Sequence, residues 1–86
     1  MWIIVTYDVN AKRNARVLKI CRKYLYHVQK SVFEGHISDK KLYKMKMELA
    51  RVIVPENDQI AIYMFDTLRY AKKEMIGYHL SIDNII

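Results

Sequence analysis

Cysteine, proline and glycine are all scarce in this chain, at one, one and two residues among 86. The lone Cys21 excludes an intrachain disulfide, so packing alone must hold the fold. So little Gly and Pro leaves regular elements unbroken, and a hydrophobic content of 52% excludes a disordered tail. No apolar run approaches the ~20 residues of a membrane span, and a basic helix without Trp or Phe anchors on its apolar face does not suit an anionic membrane surface, so no membrane partner is expected. The chain opens on a strand-like run without the basic region of a signal peptide, which makes the cytoplasm the expected location. Gly-rich phosphate loops, Ser-His-Asp constellations and paired cysteines for zinc are missing. His27, His36 and His79 do not fall at metal-ligand spacing. A chain of this length makes one domain, of a size at which self-association is a common route to stability.

Acid is the other scarcity, and it is local. Residues 10–51 carry 12 Lys/Arg against 3 Asp/Glu, within a net charge of +6 and a pI near 9.5. Such a surface favours a polyanion as partner. On a helical wheel from Asn10 to about Tyr26, Val17, Leu18, Cys21, Tyr24 and Leu25 gather on one side. Lys12, Arg16, Lys19 and Lys23 gather opposite them, flanked by Arg13 and Arg22, with no acid on this helix. Like charges at i, i+4 destabilise a helix that lacks an anionic partner, so Lys12, Arg13, Arg16, Lys19 and Lys23 are expected to bind nucleic-acid phosphate.

The remaining pattern is mixed. Trp2–Val9 is an apolar, strand-like run with Ile3, Val5 and Tyr7 on one face and Trp2, Ile4, Thr6 and Asp8 on the other. Residues 27–37 are β-prone, and periodicity leaves open whether they form one strand or a hairpin. Ser38 or Asp39 caps a second helix to about Ile53, with Leu42, Met45, Leu49, Val52 and Ile53 as its apolar stripe. Pro55 stops it, Glu56-Asn57-Asp58 turn, and Gln59–Phe65 alternates as a strand. Lys72–Ile76 is a candidate final strand, and Ser81-Ile-Asp-Asn-Ile-Ile86 is apolar enough to dock. With a hairpin between the helices, the order becomes an α+β, ferredoxin-like βαββαβ sandwich with an extra C-terminal strand.

Asp8 stands out against this background. An ionised carboxylate at the end of an apolar strand is costly to desolvate unless it has a partner. Two readings stand side by side. In one, Asp8 caps the following helix or pairs with Arg13 or Arg16. In the other it binds magnesium, a hard cation for which one or two carboxylates plus substrate phosphate suffice. A two-fold dimer would bring a second Asp8 to such a site.

Tyr7-Asp8-Val9, the basic helix, the block Val28-Gln29-Lys30-Ser31-Val32-Phe33-Glu34-Gly35 and the late strand Asp58-Gln-Ile-Ala-Ile-Tyr63 together resemble the CRISPR-associated protein two family. The resemblance runs through nearly the whole chain in order. It implies a ferredoxin-like homodimer whose last strand pairs with the partner's sheet. It also implies a subunit of spacer acquisition that lies along duplex DNA and bridges dimers of the CRISPR integrase subunit. Residues 66–86 would be the extension that serves the dimer or that partner. Many members are magnesium-dependent endonucleases acting on RNA or duplex DNA. The resemblance carries the family aspartate onto Asp8 as catalytic metal ligand and sets Tyr7, Ser31 and Phe33 near the site. It places Arg13 and Arg16 where family arginines meet phosphate. An arginine is common shortly before the Val-Gln pair; here His27 stands there. Two other readings use the same fold: a DNA-binding scaffold with a structural Asp8, and a toxin-like ribonuclease.

Overall fold

The computed structural model describes residues 1–67 and 70–77. The elements run β1 (Trp2–Asp8), α1 (Ala11–Tyr24), β2 (Tyr26–Gln29), β3 (Val32–His36), α2 (Asp39–Val52), β4 (Gln59–Thr67) and β5 (Tyr70–Gly77). The β-prone stretch between the helices is a hairpin, closed by Lys30 and Ser31. All five strands form one antiparallel sheet in the order β2-β3-β1-β4-β5. That is the ferredoxin-like arrangement with a fifth strand added outside β4.

Both helices lie against one face of the sheet. Ile3, Val5 and Tyr7 of β1 share a buried cluster with Phe33, Ile60 and Ile62 of the neighbouring strands. Val17 and Cys21 of α1 and Leu42, Met45 and Leu49 of α2 complete it. The period-two pattern of β1 therefore reports a sheet covered on one side, and the helical stripes cover it. Cys21 is wholly buried there, and desolvation pushes its thiol up to about 12. On the other face stand Trp2, Ile4, Thr6, Val32, Tyr63, Phe65 and Met75, each half-buried.

The helix ends follow from their caps. The Asn10 side chain accepts from the Lys12 amide at 2.9 Å and starts α1. Ser38, rather than Asp39, caps α2 through a 3.2 Å bond from the Lys41 amide. Helix α1 ends at Tyr24, two residues short of the sequence expectation, because Tyr26 already enters β2 and pairs with Glu34. The fifth strand is longer than the expected 72–76 and pairs with β4 of its own chain through Gln59↔Gly77 to Thr67↔Tyr70. Gly77 is held close: with φ +103°, a Cβ there would lie 1.9 Å from the Asp58 carbonyl oxygen. The segment 81–86, expected to dock, lies outside the described residues. Among the described residues no helix is long and apolar enough to cross a membrane.

Candidate active site

Three chain segments meet at the end of β1. Asp8 is the last residue of that strand, pairs in register with Gln59 of β4, and is exposed. On its other side, the Tyr7 amide donates to the Ser31 carbonyl at 3.1 Å, which ties the β2–β3 turn to β1. Between this turn and the start of α1 lies an open cleft of about 500 Å³, lined by Tyr7, Asp8, Val9, Ala11, Asn14, Leu18, Lys30 and Ser31. Asp8, Tyr7 and Ser31, all expected at the site, are thus brought together.

The structural roles open to Asp8 are filled by other residues. Asn10 caps α1. Asp58, at the foot of β4, takes Arg13. The Arg13 Nη2 donates to Asp58 Oδ1 at 3.0 Å and its Nε donates to Oδ2. Asp58 also accepts from the Asn10 amide (Oδ1) and the Val54 amide (Oδ2), each at 2.9 Å. Its side chain is fully buried. The Arg13 hydrogen bond, reinforced by those two amides against the opposing cost of burial, holds the Asp58 carboxyl far below the usual carboxylate range. Asp8 has no hydrogen-bond or ion-pair partner among the described residues.

Phe33, expected near the site, is core. It is fully buried between His27, with ring centroids 4.5 Å apart and planes 12° from parallel, and Tyr7 at 6.2 Å. The His27 ring also bonds the Lys30 carbonyl. A carbonyl only accepts, so Nε2 carries the hydrogen. His27 therefore braces the turn.

The basic helix divides into engaged and free cations. Arg13 is committed to Asp58. Lys23 pairs with Glu48 of α2, which also accepts the Tyr24 hydroxyl. Those two hydrogen bonds, Lys23 first, lower the Glu48 carboxyl. Lys12, Arg16 and Lys19 are exposed and have no carboxylate partner among the described residues. Arg16 and Lys19 line a groove of about 330 Å³ with Ile20, Lys23 and Val52.

Sequence reasoning took Asp58 as a turn residue and the start of the late strand, and missed its partnership with Arg13, which is 45 residues away. Gln59 was also missed. Its side-chain oxygen is buried and has no hydrogen-bond partner, directly across the ladder from Asp8.

Comparison with known proteins follows the same outline. The family described as CRISPR associated protein Cas2 matches residues 1–73. A protein of Thermotoga maritima named CRISPR-associated endoribonuclease Cas2 is 42% identical over 86 residues, covering all of this chain and 99% of its own. A crystal structure described as cas2 shares 41% identity, with a TM-score of 0.74, over 94% of this chain and 91% of its own. That of Streptococcus pyogenes Cas2 shares 35% identity, with a TM-score of 0.70, over 76% and 86%.

Proposed function

The chain belongs to the CRISPR associated protein Cas2 family, and on that footing we propose that it is a metal-dependent endonuclease centred on Asp8, working as a nucleic-acid-binding homodimer in CRISPR adaptation. The observation that carries this reading is the state of Asp8. It is an exposed carboxylate without a structural partner, lining an open cleft. Relatives bearing the name endoribonuclease support RNA as a substrate.

The donor set suits a hard cation. Asp8 offers a carboxylate, and the unpaired side-chain oxygen of Gln59 stands on the neighbouring strand. Among the described residues no group of three or more His, Cys, Asp or Glu gathers into a metal site. Magnesium keeps several waters and takes substrate phosphate oxygens, so a site on Asp8 would draw its other ligands from these and from a partner protomer. When bound, magnesium would supply a water of lowered pKa and positive charge for the leaving oxygen. The protein's part is to hold the phosphodiester in the cleft, and Lys12, Arg16 and Lys19 supply phosphate contacts along α1.

The dimer rests on the uncovered face of the sheet. Trp2, Ile4, Val32, Phe65 and Met75 form an apolar surface there, and Asp8 closes one end of it. Stacking two such faces about an axis beside Asp8 brings the two carboxylates together, since an isologous contact repeats each residue across the axis. In adaptation the dimer would hold duplex DNA between integrase dimers, with residues 66–86 as the partner-binding extension.

A side-by-side assay tests the enzyme reading: RNA and duplex DNA, with magnesium or EDTA, wild type against Asp8→Asn. We expect cleavage that EDTA abolishes and that Asp8→Asn lowers by at least about 100-fold. Equal cleavage by Asp8→Asn, or none by the wild type, leaves the DNA-binding scaffold as the function. Light scattering at micromolar concentration should give the mass of a dimer.

A further inference from the structure

The cleft at Asp8 is lined in part by a lysine that no carboxylate claims. Lys30 lines it from the β2–β3 turn, and among the described residues it takes part in no ion pair. Its backbone has φ +34°, a conformation that a side-chain-bearing residue adopts only where its surroundings impose it.

Those surroundings are on both sides of the turn. On one side, the His27 ring holds the Lys30 carbonyl, and that ring lies flat on the buried Phe33. On the other side, the next carbonyl, that of Ser31, takes the Tyr7 amide at 3.1 Å. Tyr7 precedes Asp8, and its ring also stacks on Phe33, with centroids 6.2 Å apart. The turn is thus fastened to the residue beside Asp8 through the backbone and through a three-ring stack. Asp8, at the end of β1, and Lys30, in the β2–β3 turn, line one cleft and do not pair with each other.

We propose that Lys30 is a catalytic residue of the Asp8 site and that its ammonium contacts a non-bridging oxygen of the phosphodiester undergoing cleavage. The inference rests on the proposed nuclease reading. In the hydrolysis, a bond forms between the water oxygen and phosphorus as the bond from phosphorus to the leaving oxygen breaks. The water gives up a proton to solvent and the leaving oxygen takes one from solvent. Lys30 keeps all three of its protons and acts through charge. Charge builds on the non-bridging oxygens as the phosphorus becomes five-coordinate, so a fixed cation there favours the transition state over the ground state.

The test uses Lys30→Gln, Lys30→Arg and Lys30→Gly in the full chain, on an RNA oligonucleotide with magnesium. Lys30→Gly removes the ammonium while suiting the positive φ, so loss of activity in it is not a folding defect. We expect Lys30→Gln and Lys30→Gly to lower kcat by about 100-fold, with KM changed less than about 3-fold. Lys30→Arg, which keeps the charge, should recover most of that loss. His27→Phe keeps the ring stack but drops the bond to the turn, and should give an intermediate kcat. Wild-type kcat in Lys30→Gln, alongside cleavage that needs Asp8, overturns the role of Lys30 and leaves the nuclease reading standing. Absence of any Asp8-dependent cleavage overturns both.

Discussion

Arg13 and Asp58 form a two-point ion pair in which the carboxylate is fully buried and the guanidinium lies at the rim. The pair joins the first turn of α1 to the foot of β4, and through the Val54 amide to the end of α2. Removing Asp58 strands the Arg13 charge and two amide hydrogens at once. Asp58→Ala should therefore cost about 3 kcal/mol or more, within the range for breaking a buried pair. Urea unfolding monitored by circular dichroism measures this. A loss below about 1 kcal/mol would mean that water replaces the carboxylate without penalty.

The same pair sets an acid limit. In the unfolded chain an aspartate titrates near 3.9, by the usual reference value. In the folded chain Arg13 holds Asp58 far lower. Above about pH 5 both forms are ionised and the pair contributes in full. As pH falls through about 4, the unfolded chain takes up a proton that the folded chain refuses, and stability declines. Asp58→Asn should start less stable and lose less between pH 5 and 2 than the wild type, by denaturant titration at each pH. Parallel curves would place the acid sensitivity in other carboxylates.

The division of the basic helix gives a third expectation. Lys12, Arg16 and Lys19 carry charge without structural duty, so reversing all three to Glu should weaken duplex DNA binding while leaving the thermal midpoint nearly unchanged. Each phosphate contact removed should lower the slope of log K against log salt by about one. Arg13→Glu differs in kind, because it sets a second carboxylate against Asp58 and should unfold the chain before any effect on binding is read. An unchanged salt slope in the triple variant would move the nucleic-acid surface off α1.

Much of this molecule was legible in the sequence wherever the physics is local. The caps Asn10 and Ser38, the stop at Pro55 and the alternation of Ile3, Val5 and Tyr7 act within a few residues, and the elements they define are in place. The 27–37 stretch was ambiguous because its strands span only four and five residues, too short for periodicity to show a turn at Lys30. The partners of Arg13 and Lys23 could not be read at all. Asp58 and Glu48 lie 45 and 25 positions away, and only the packed sheet and helices bring them near. Phe33 shows the converse. The resemblance set this aromatic near the site, and only the fold shows that its ring is enclosed and stacks on both His27 and Tyr7.

Gly77 gives the C-terminal end of the sheet a fixed address. Asp8, Gln59 and Gly77 stand in one row across three adjacent strands. With strands about 4.8 Å apart, the point where the chain leaves β5 lies roughly 10 Å from Asp8. The Asp58 carbonyl, pressed against Gly77, leaves that point no room to slide along its neighbour. On the proposed reading, anything bound to the chain just past residue 77 therefore stands in the same row of the sheet as Asp8.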